Sequence, residues 1–406
     1  MTGAPYPLDP ESRSFIVLLA ALTAMTALSI DMSLPALPTL TQVLHVTPDR
    51  AQLTLSVFLL GFAGGQLFVG PASDRFGRRP VLLVGLLAFS LAGFGCALTE
   101  RIESLIALRF VQGMTACVGP VLGRATVRDH FHATRAARFL SSLIAVFAVA
   151  PLVAPILGGQ LLHRLGWHAI FWTLGGLGVA LFALTALFLG ESSKRLDPDA
   201  LRPARLVGNL RVFLGNRVSL VHGLIVLFVF GAQFSYISGS PFVIIEIFGV
   251  PADRYGFFFG GTAASLIVGA TLNARLLART APARLLRVGL LMLVGSGAAL
   301  ALAALAGAGL WPIFLPLMVF FVGLGLVSPN ATAAALEPMP HMAGAASSIL
   351  GVFQMVGGAF AGWMVSALYD HTARPMALSV AGLGALALAV SVLGGAAGRP
   401  AAARAG

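Results

Sequence analysis

The chain has 406 residues, of which 58% are hydrophobic and only 10% are charged, and its mean hydropathy is +0.91. A water-soluble protein of this length needs far more charge to cover its surface, so the composition excludes the soluble classes and indicates a protein embedded in a lipid bilayer. The formal net charge is +11, but the basic residues form short clusters between apolar stretches. They lack the interleaved aromatic residues of a nucleic-acid-binding surface, so no nucleic-acid partner is predicted.

Cysteine usage and the N-terminus narrow the class further. Cys96 and Cys117 both lie in apolar stretches, so neither a disulfide framework nor a metal site is predicted. Arg13 precedes an apolar run from Phe15 to about Leu34, which is too long for the core of a signal peptide and is followed by no small-residue cleavage site. We interpret this run as the first retained membrane span.

The chain divides into apolar stretches that are each long enough to cross a bilayer, which takes about 20 residues. The twelve predicted spans are 14–34, 51–70, 80–98, 104–125, 138–162, 168–190, 218–245, 254–274, 285–306, 311–331, 344–367 and 374–396. The charged, Pro-containing stretch 191–217 separates the sixth span from the seventh. We therefore predict an N-terminal six-helix bundle over 1–190, a cytoplasmic linker over 191–217, and a C-terminal six-helix bundle over 218–406.

The distribution of basic residues predicts the orientation. With the N-terminus inside, twenty Lys and Arg residues fall on the cytoplasmic side and five on the outside, while Arg109 lies within a span. Cytoplasmic loops carry the excess of Lys and Arg in membrane proteins. Both termini are therefore expected in the cytoplasm.

Short sequences repeat between the two halves at nearly one spacing. The pairs are VTPDRAQ (46–52) with VPADRYG (250–256), LLVGLL (82–87) with LRVGLL (286–291), and SSLIAVF (141–147) with SSILGVF (347–353). The first two pairs are 204 positions apart and the third is 206 apart. This spacing, close to half the length, indicates duplicated halves, and a parallel repeat of this kind places a substrate path between the halves.

Asp31 is the only acidic residue within a predicted span, and Arg109 is the only Lys or Arg residue that is not assigned to a loop or to the end of a span. At about 1.5 Å per residue, Asp31 lies roughly 25 Å from the start of the first span, and Arg109 lies roughly 7 Å below the outer face of a core about 30 Å thick. The similar depths predict that they interact, and Gln112, three residues after Arg109, shares its helix face. The alternatives are that Asp31 only caps the end of its span and that Arg109 only binds helix carbonyls.

The loop between spans 2 and 3 reads GPASDRFGRR, residues 70–79. Gly70 and Pro71 are predicted to end one helix, and Gly77 permits a tight turn before the next. Asp74 is expected to accept backbone N–H groups at a helix start or to pair with a cytoplasmic arginine. The alternative is a loop whose arginines only set the orientation.

The fifth span ends in APLVAPILGG, residues 150–159. Pro151 and Pro155 are predicted to kink the helix, and Gly158 and Gly159 to let another helix approach closely.

Polar and aromatic side chains in several spans are candidates for a central substrate cavity. The residues assigned to it are Gln112, Gln233, Tyr236, Asn330, Gln354, Phe58, Phe62 and Phe234. The alternative for the polar members is an interhelical hydrogen bond, and for the phenylalanines an ordinary contact with lipid.

Several of these motifs resemble those of the major facilitator superfamily. The spacing G-x-x-x-D-R-x-G-R-R at 70–79 resembles the loop signature of that family, and R-x-x-Q-G from Arg109 resembles its fourth-helix motif. The run 150–159 resembles its antiporter motif, although Ala150 or Pro151 and Ala154 replace the two usual first glycines. Four longer stretches resemble the Bcr/CflA branch of drug:proton antiporters, namely RATVRDHF (124–131), GWHAIFW (166–172), YISGSPFVI (236–244) and PNATAAALEPMPHMAGAASSILGVFQ (329–354).

The resemblance implies an all-α membrane protein of twelve transmembrane helices in two pseudo-symmetric six-helix bundles. It implies export of small amphipathic drugs in exchange for protons across a bacterial inner membrane, by a monomer that needs no cofactor besides the proton gradient. Asp31 and Arg109 are then the proton-coupling residues. The cytoplasmic gate comprises Gly70, Asp74, Arg75, Gly77, Arg78, Arg79, Arg128 and Asp129. The corresponding stretch of the second half, 272–280, keeps arginines but lacks the acid.

The sequence leaves two other functions open. One is proton-coupled transport of a metabolite such as an amino acid or a sugar, although the single acid and sparse polar lining favour a permissive apolar cavity. The other is a membrane enzyme or receptor, against which stands the lack of a nucleophile triad, paired carboxylates or a phosphate-binding loop in the sequence.

Overall fold

The computed structural model describes residues 8–10, 12–131, 133–193 and 196–395, without the side chains of 133–138 and 140–148. These residues form α-helices, short 3₁₀ and π turns, and no β-strand. The helices of the first half are α1 (Arg13–Asp31), α2 (Leu37–Val43), α3 (Pro48–Phe76), α4 (Arg78–Leu98), α5 (Ile102–Ala116), α6 (Val118–His130), α7 (Ala133–Leu165) and α8 (Trp167–Phe188). Those that follow are α9 (Pro203–Gly215), α10 (Arg217–Pro241), α11 (Ala252–Leu276), α12 (Pro282–Leu305), α13 (Leu310–Leu336), α14 (Ala343–Ala367) and α15 (Arg374–Gly395).

The predicted all-α membrane fold is confirmed. Within the described residues, 11 helical stretches are long and apolar enough to cross a membrane, and each coincides with a predicted span. The remaining predicted span, 138–162, lies within α7, where many side chains are outside the described residues. Four of the basic residues counted on the cytoplasmic side also lie outside them, namely Lys194, Arg195, Arg399 and Arg404.

Helix ends follow local sequence signals. The Ser12 hydroxyl accepts the N–H of Phe15 at 3.2 Å and caps α1, and the Asn216 side chain accepts the N–H of Ser219 at 3.0 Å and caps α10. Gly77 takes a φ of 100° between α3 and α4. A residue with a side chain rarely adopts that conformation, so Gly77 sets this break.

One predicted helix end is wrong. Gly70 and Pro71 do not end the second span, because α3 continues through Pro71 to Phe76. A proline removes one backbone hydrogen bond but leaves the next turns free to form, and membrane helices tolerate this. The Ser73 hydroxyl, two residues after the proline, donates to the Gly70 carbonyl at 2.7 Å.

Residue contacts separate the chain into two compact units. The first comprises Met1–Arg205 with Ile244–Gly261, and the second comprises Leu206–Val243 with Thr262–Gly406. In the first, α3 packs on α5, α4 on α8, and α1 on α7. In the second, α10 packs on α14 and α15, and α12 on α13. The assignment of 1–190 and 218–406 to separate six-helix bundles stays a prediction.

The helices themselves repeat at the spacing found in the sequence. The helices α1, α3 and α4 begin at Arg13, Pro48 and Arg78, and α10, α11 and α12 each begin 204 residues later. The duplication predicted from short sequence matches therefore extends to where the helices start.

Candidate functional site

Arg109 is the centre of a buried polar cluster. It lies in the middle of α5 and only 1% of its surface is exposed. Its Nη1 donates to Gln112 Oε1 at 2.8 Å, and its Nη2 donates to the Ser29 carbonyl at 3.1 Å and to Ser33 Oγ at 3.4 Å. Arg109 and Gln112 therefore share one helix face, as predicted, and are joined by a direct hydrogen bond.

Two aromatic rings complete the surroundings of this guanidinium. Its central carbon lies 4.4 Å from the ring centroid of Phe58 and 5.7 Å from that of Phe171. Cations are attracted to aromatic faces, and the attraction is stronger where water is excluded. The Nε of Arg109 and the Nε2 of Gln112 nevertheless have no hydrogen-bond partner among the described residues. The cluster therefore keeps donors available.

Asp31 is the last residue of α1 and is only 5% exposed. It is the only Asp or Glu among the buried described residues. No described residue forms a hydrogen bond or an ion pair with its carboxylate, so the predicted direct contact with Arg109 is absent from this structure. Arg109 instead holds Ser29 and Ser33, which lie two residues before and two residues after Asp31.

The glycines of the 150–159 run pack as predicted. A Cβ added to Gly158 would lie 2.1 Å from the carbonyl oxygen of Met32, the residue after Asp31. A Cβ added to Gly159 would lie 2.6 Å from the Ala252 carbonyl oxygen. The helix α7 continues through Pro151 and Pro155. Only glycine allows α7 to lie this close to the end of α1.

The segment predicted as the loop 70–79 forms a second cluster, in the first unit, and only its Gly77 lies outside α3 and α4. The Arg78 side chain donates to Asp74 at 2.6 Å and to Asp129 at 3.1 Å, and Ser73 is a third partner. Asp74 lies in the last turn of α3, so of its two predicted roles it takes the arginine pair and not the helix-start cap. The partners of Arg78 belong to the same half of the chain.

Two further residues of this cluster follow α8, and sequence reasoning missed them. Glu191 accepts the backbone N–H groups of Arg78 at 2.9 Å and of Arg79 at 3.1 Å, which are the first two residues of α4. The Ser192 hydroxyl donates to Asp129 at 3.1 Å. A carboxylate at a helix N-terminus satisfies free donors and interacts favourably with the helix dipole. The linker therefore begins attached to the loop 70–79.

The other predicted gate residues contribute less. The Arg79 side chain donates to the Ala186 carbonyl at 2.7 Å. The guanidinium of Arg75 lies 5.2 Å from the ring centroid of Phe76, in the same turn. Arg128 is exposed at the end of α6.

The predicted cavity residues of the second unit form local contacts. Tyr236 is buried, its hydroxyl accepts from Thr262 at 3.2 Å, and its ring meets Phe321 edge-on at 5.2 Å. The Asn330 side chain donates to Asn273 at 2.6 Å and to the Leu326 carbonyl at 2.8 Å. For both residues the observed contacts correspond to the alternative, an interhelical or local hydrogen bond.

Of the eight predicted cavity residues, the structure brings Gln112 and Phe58 together around Arg109. Phe62 and Phe234 are buried in different units. Gln233 and Gln354 are half-buried and have no hydrogen-bond partner among the described residues. Their assignment to one cavity stays a prediction.

Comparison with known proteins adds to this geometry. Residues 19–362 match the sequence model described as Major Facilitator Superfamily. The chain is 35% identical to the bicyclomycin resistance protein homolog of Haemophilus influenzae over 363 residues, which is 89% of this chain and 91% of that protein. It is 34% identical to YdgK, an uncharacterized MFS-type transporter of Bacillus subtilis, over 96% and 95% of the two chains. It is 29% identical to the multidrug resistance protein MdtL of Escherichia coli, over 87% and 88%.

Solved structures share the fold at lower identity. The D-xylose-proton symporter superposes with a TM-score of 0.70 at 15% identity, covering 93% of this chain and 97% of that one. A bacterial homolog of the human lysosomal transporter Spinster superposes with a TM-score of 0.71 at 16% identity, covering 96% and 98%. At such identities the likeness establishes the helical fold and nothing about the cargo.

Proposed function

The chain belongs to the major facilitator superfamily, and we propose that it exports small amphipathic drugs in exchange for protons. Membership makes it a membrane transporter and not an enzyme. The resemblance to the Bcr/CflA branch is confirmed by relatives named for resistance to bicyclomycin and to multiple drugs. Those names concern the relatives, and they motivate drug export as the function of this chain.

The observation that carries the proton-coupling proposal is the environment of Asp31. A buried carboxylate without a hydrogen-bond partner is costly in its charged form, so its charge state responds to whether water reaches it. A group of this kind suits a carrier that takes a proton from one side of the membrane and releases it to the other. We assign Asp31 this role.

Arg109 links the charge on Asp31 to the position of the helices. It holds the backbone of Ser29 and the hydroxyl of Ser33, so it is attached to the stretch of chain that contains Asp31. A charged Asp31 attracts the guanidinium, and a protonated one does not. Proton uptake at Asp31 therefore changes the force between α1 and α5, and this change favours one orientation of the transporter over the other.

The loop 70–79 acts as the cytoplasmic gate in this proposal. Arg78 joins Asp74 of α3 to Asp129 of α6, and such charged hydrogen bonds are stronger than neutral ones. These bonds hold the cytoplasmic ends of the two helices together. We assign these bonds to the closed cytoplasmic side, so opening that side by alternating access breaks at least one of them.

We place the transporter in a bacterial inner membrane as a monomer, with both ends of the chain and the loop 70–79 in the cytoplasm. The excess of Lys and Arg in alternate loops supports this orientation. The proton gradient is the energy source, and no cofactor is proposed.

Transport into inverted membrane vesicles tests the function directly. In such vesicles an exporter moves its cargo inward, so chloramphenicol or bicyclomycin should accumulate when the vesicle interior is acidified and should stop accumulating when the pH gradient is collapsed. Amino acids and sugars are the comparison set. Accumulation of a metabolite but of neither drug would replace the cargo assignment, and accumulation that ignores the gradient would exclude proton exchange.

A further inference from the structure

The helix α9 is too short to cross a membrane, yet it adjoins a span. Its residues Pro203–Gly215 extend about 20 Å at 1.5 Å per residue, against a hydrocarbon core of about 30 Å. The next helix, α10, begins at Arg217 after the single capping residue Asn216 and is apolar enough to cross the bilayer. The end of α9 therefore lies at a membrane surface.

Five of the six large apolar residues of α9 occupy one side of the helix. At 100° per residue, the residues on that side fall within an arc of about 120°. They are Leu206, Val207, Leu210, Phe213 and Leu214. The arrangement is that of an amphipathic helix.

Protein covers one edge of this arc and leaves the other edge open. Phe213 is completely buried, and its ring centroid lies 5.9 Å from that of Phe353 in α14. Val207, Leu210 and Leu214 are 45%, 40% and 40% exposed. The helix is thus fixed to the second unit through Phe213 while a row of aliphatic side chains remains uncovered.

The charges around α9 differ between its two ends. Before the helix and in its first turn, Arg202 binds Asp199 at 2.9 Å and Arg205 binds Asp197. The hydrogen bond from Arg205 lowers the pKa of Asp197, so this acid stays charged and neutralises its partner. Toward the other end, Arg211 and Arg217 are exposed.

Neither Arg211 nor Arg217 has an acidic partner within the described part of the chain. Unpaired positive charge beside an uncovered apolar edge, one residue from a membrane span, is the combination that binds a lipid surface with negative headgroups.

We propose that α9 lies in the membrane surface, with its open apolar edge among lipid chains and with Arg211 and Arg217 on the phosphates of anionic phospholipids. One edge of α9 then packs on protein through Phe213, and the other edge packs on lipid. The binding of the linker to the membrane surface then depends on the fraction of anionic lipid. The proposal concerns the linker alone and does not depend on which cargo is carried.

Two valines of α9 provide a matched test of the apolar edge. Val207 is on the open edge and Val212, five residues later, is about 140° away on the polar side, and the two are 45% and 47% exposed. Val207→Cys and Val212→Cys are made in a protein whose buried Cys96 and Cys117 are replaced by alanine, and each is labelled with a small fluorophore in bilayer nanodiscs. Brominated lipid should quench most of the fluorescence at 207 and little at 212.

Charge is tested with lipids that differ only in headgroup. At equal amounts, brominated phosphatidylglycerol should quench the label at 207 more strongly than brominated phosphatidylcholine. Arg211→Gln and Arg217→Gln should each lower this preference about five-fold, the effect of about 1 kcal/mol per basic residue at an anionic surface. The exposed Arg254 at the start of α11 is the control, and Arg254→Gln should leave the preference unchanged.

Three results would overturn the proposal. Equal quenching at 207 and 212 would show that the open edge does not face lipid chains. Equal quenching by the two headgroups would remove the role of the arginines. Formation of a disulfide between two unlabelled Val207→Cys chains in the nanodisc, together with loss of quenching in the labelled protein, would identify a second copy of the chain as the occupant instead of lipid.

Discussion

In the first half of the chain Gly65 of α3 lies against α5, and in the second half Gly269 of α11, 204 positions later, lies against α13 in the same manner. A Cβ added to Gly65 would lie 2.2 Å from the Met114 carbonyl oxygen, and one added to Gly269 would lie 2.1 Å from the Val322 carbonyl oxygen. Gly93 and Gly297, again 204 apart, likewise allow close contacts of α4 with α8 and of α12 with α15. Small residues let membrane helices approach closely, and both halves use them at matching positions.

The buried charges do not repeat in this way. The helices α5 and α13 begin 208 positions apart, and the contact residues Met114 and Val322 have the same spacing. At this spacing Arg109 corresponds to Leu317. Leu317 is 1% exposed, like Arg109. At a spacing of 204, Asp31 corresponds to Ser235, whose hydroxyl bonds the Gly231 carbonyl of its own helix at 3.0 Å. Close helix contacts are thus present at matching positions of both halves. The buried charges of Asp31 and Arg109 have no charged counterpart at the corresponding positions of the second half.

The largest effect is expected from removing the charge of Arg109. Arg109→Met should lower transport by more than about 100-fold, because three bonds from a charged donor, each worth about 1.5–3 kcal/mol, are lost. Arg109→Lys should restore little, since one ammonium cannot hold Gln112, Ser29 and Ser33 in the geometry of a planar guanidinium. Initial rates of drug uptake into inverted vesicles measure the loss.

The matched control for Arg109 is its counterpart Leu317. Leu317→Met preserves volume at an equally buried position, so it should leave transport near the level of the parent protein. Full activity of Arg109→Lys would show that a point charge is enough. Equal losses for Arg109→Met and Leu317→Met would remove the distinction between the two halves.

Asp31→Asn should abolish uphill transport while leaving binding of the drug within a few-fold. The variant keeps the size and polarity of the side chain but cannot carry a proton, so the gradient no longer drives the cycle. Uptake with and without a pH gradient, and drug binding in detergent, measure the two properties. Asp49→Asn, at an exposed acid in the first turn of α3, is the control and should transport normally. Uphill transport by Asp31→Asn would exclude Asp31 as the proton carrier.

Much of this arrangement was predictable from the sequence. Spans follow from apolar length alone, and the helix starts agree with the predicted spans within a few residues because glycine, proline and charged residues mark the breaks. The rise per residue predicts that Arg109 lies at the depth of the end of α1, but it does not determine the direction of the Arg109 side chain. Arg109 therefore reaches Ser29 and Ser33 and not Asp31. The capping role of Glu191 was not predicted, because the helix that it caps begins more than 100 positions earlier and no local sequence pattern indicates such a contact.

An intermediate effect is expected at Asp74 in the proposed cytoplasmic gate. Asp74→Asn weakens the bond to Arg78, which should cost about 1–3 kcal/mol for a hydrogen bond between charged groups. A balanced two-state equilibrium then shifts by roughly five- to 150-fold, and cysteines on the cytoplasmic side of the cavity should react faster with thiol reagents. The counterpart 204 positions later is the exposed Ala278, so Ala278→Asn should change little. Unchanged labelling with a loss of drug binding would assign Asp74 to the drug site instead.

The close contacts predict a shared effect on stability. Gly65→Ala and Gly269→Ala should each destabilise the protein by about 1–3 kcal/mol, because the added methyl group overlaps a carbonyl oxygen and a helix must shift. Gly64→Ala is the control, since nothing lies within 4 Å of a Cβ added there. Thermal unfolding in detergent measures all three. A large effect in one half alone would show that the packing is not truly duplicated.

The smallest effect is expected at Glu191, where the first half differs from the second in how a helix begins. Glu191 caps α4, whereas α12 begins at Pro282, whose nitrogen carries no hydrogen to be capped. Glu191→Gln keeps one acceptor oxygen but loses the charge at the helix N-terminus, so about 0.5–1 kcal/mol of stability should be lost. Because Ser192 still binds Asp129, the linker should stay attached and transport should change by less than about five-fold. Glu191→Gln combined with Ser192→Ala should release the linker, and proteases should then cut near residue 193 faster than in either single variant. If the double variant is cut no faster than the single ones, the attachment resides in the backbone bond from Asp197 to the Asp74 carbonyl, at 2.9 Å, and the two side chains are dispensable.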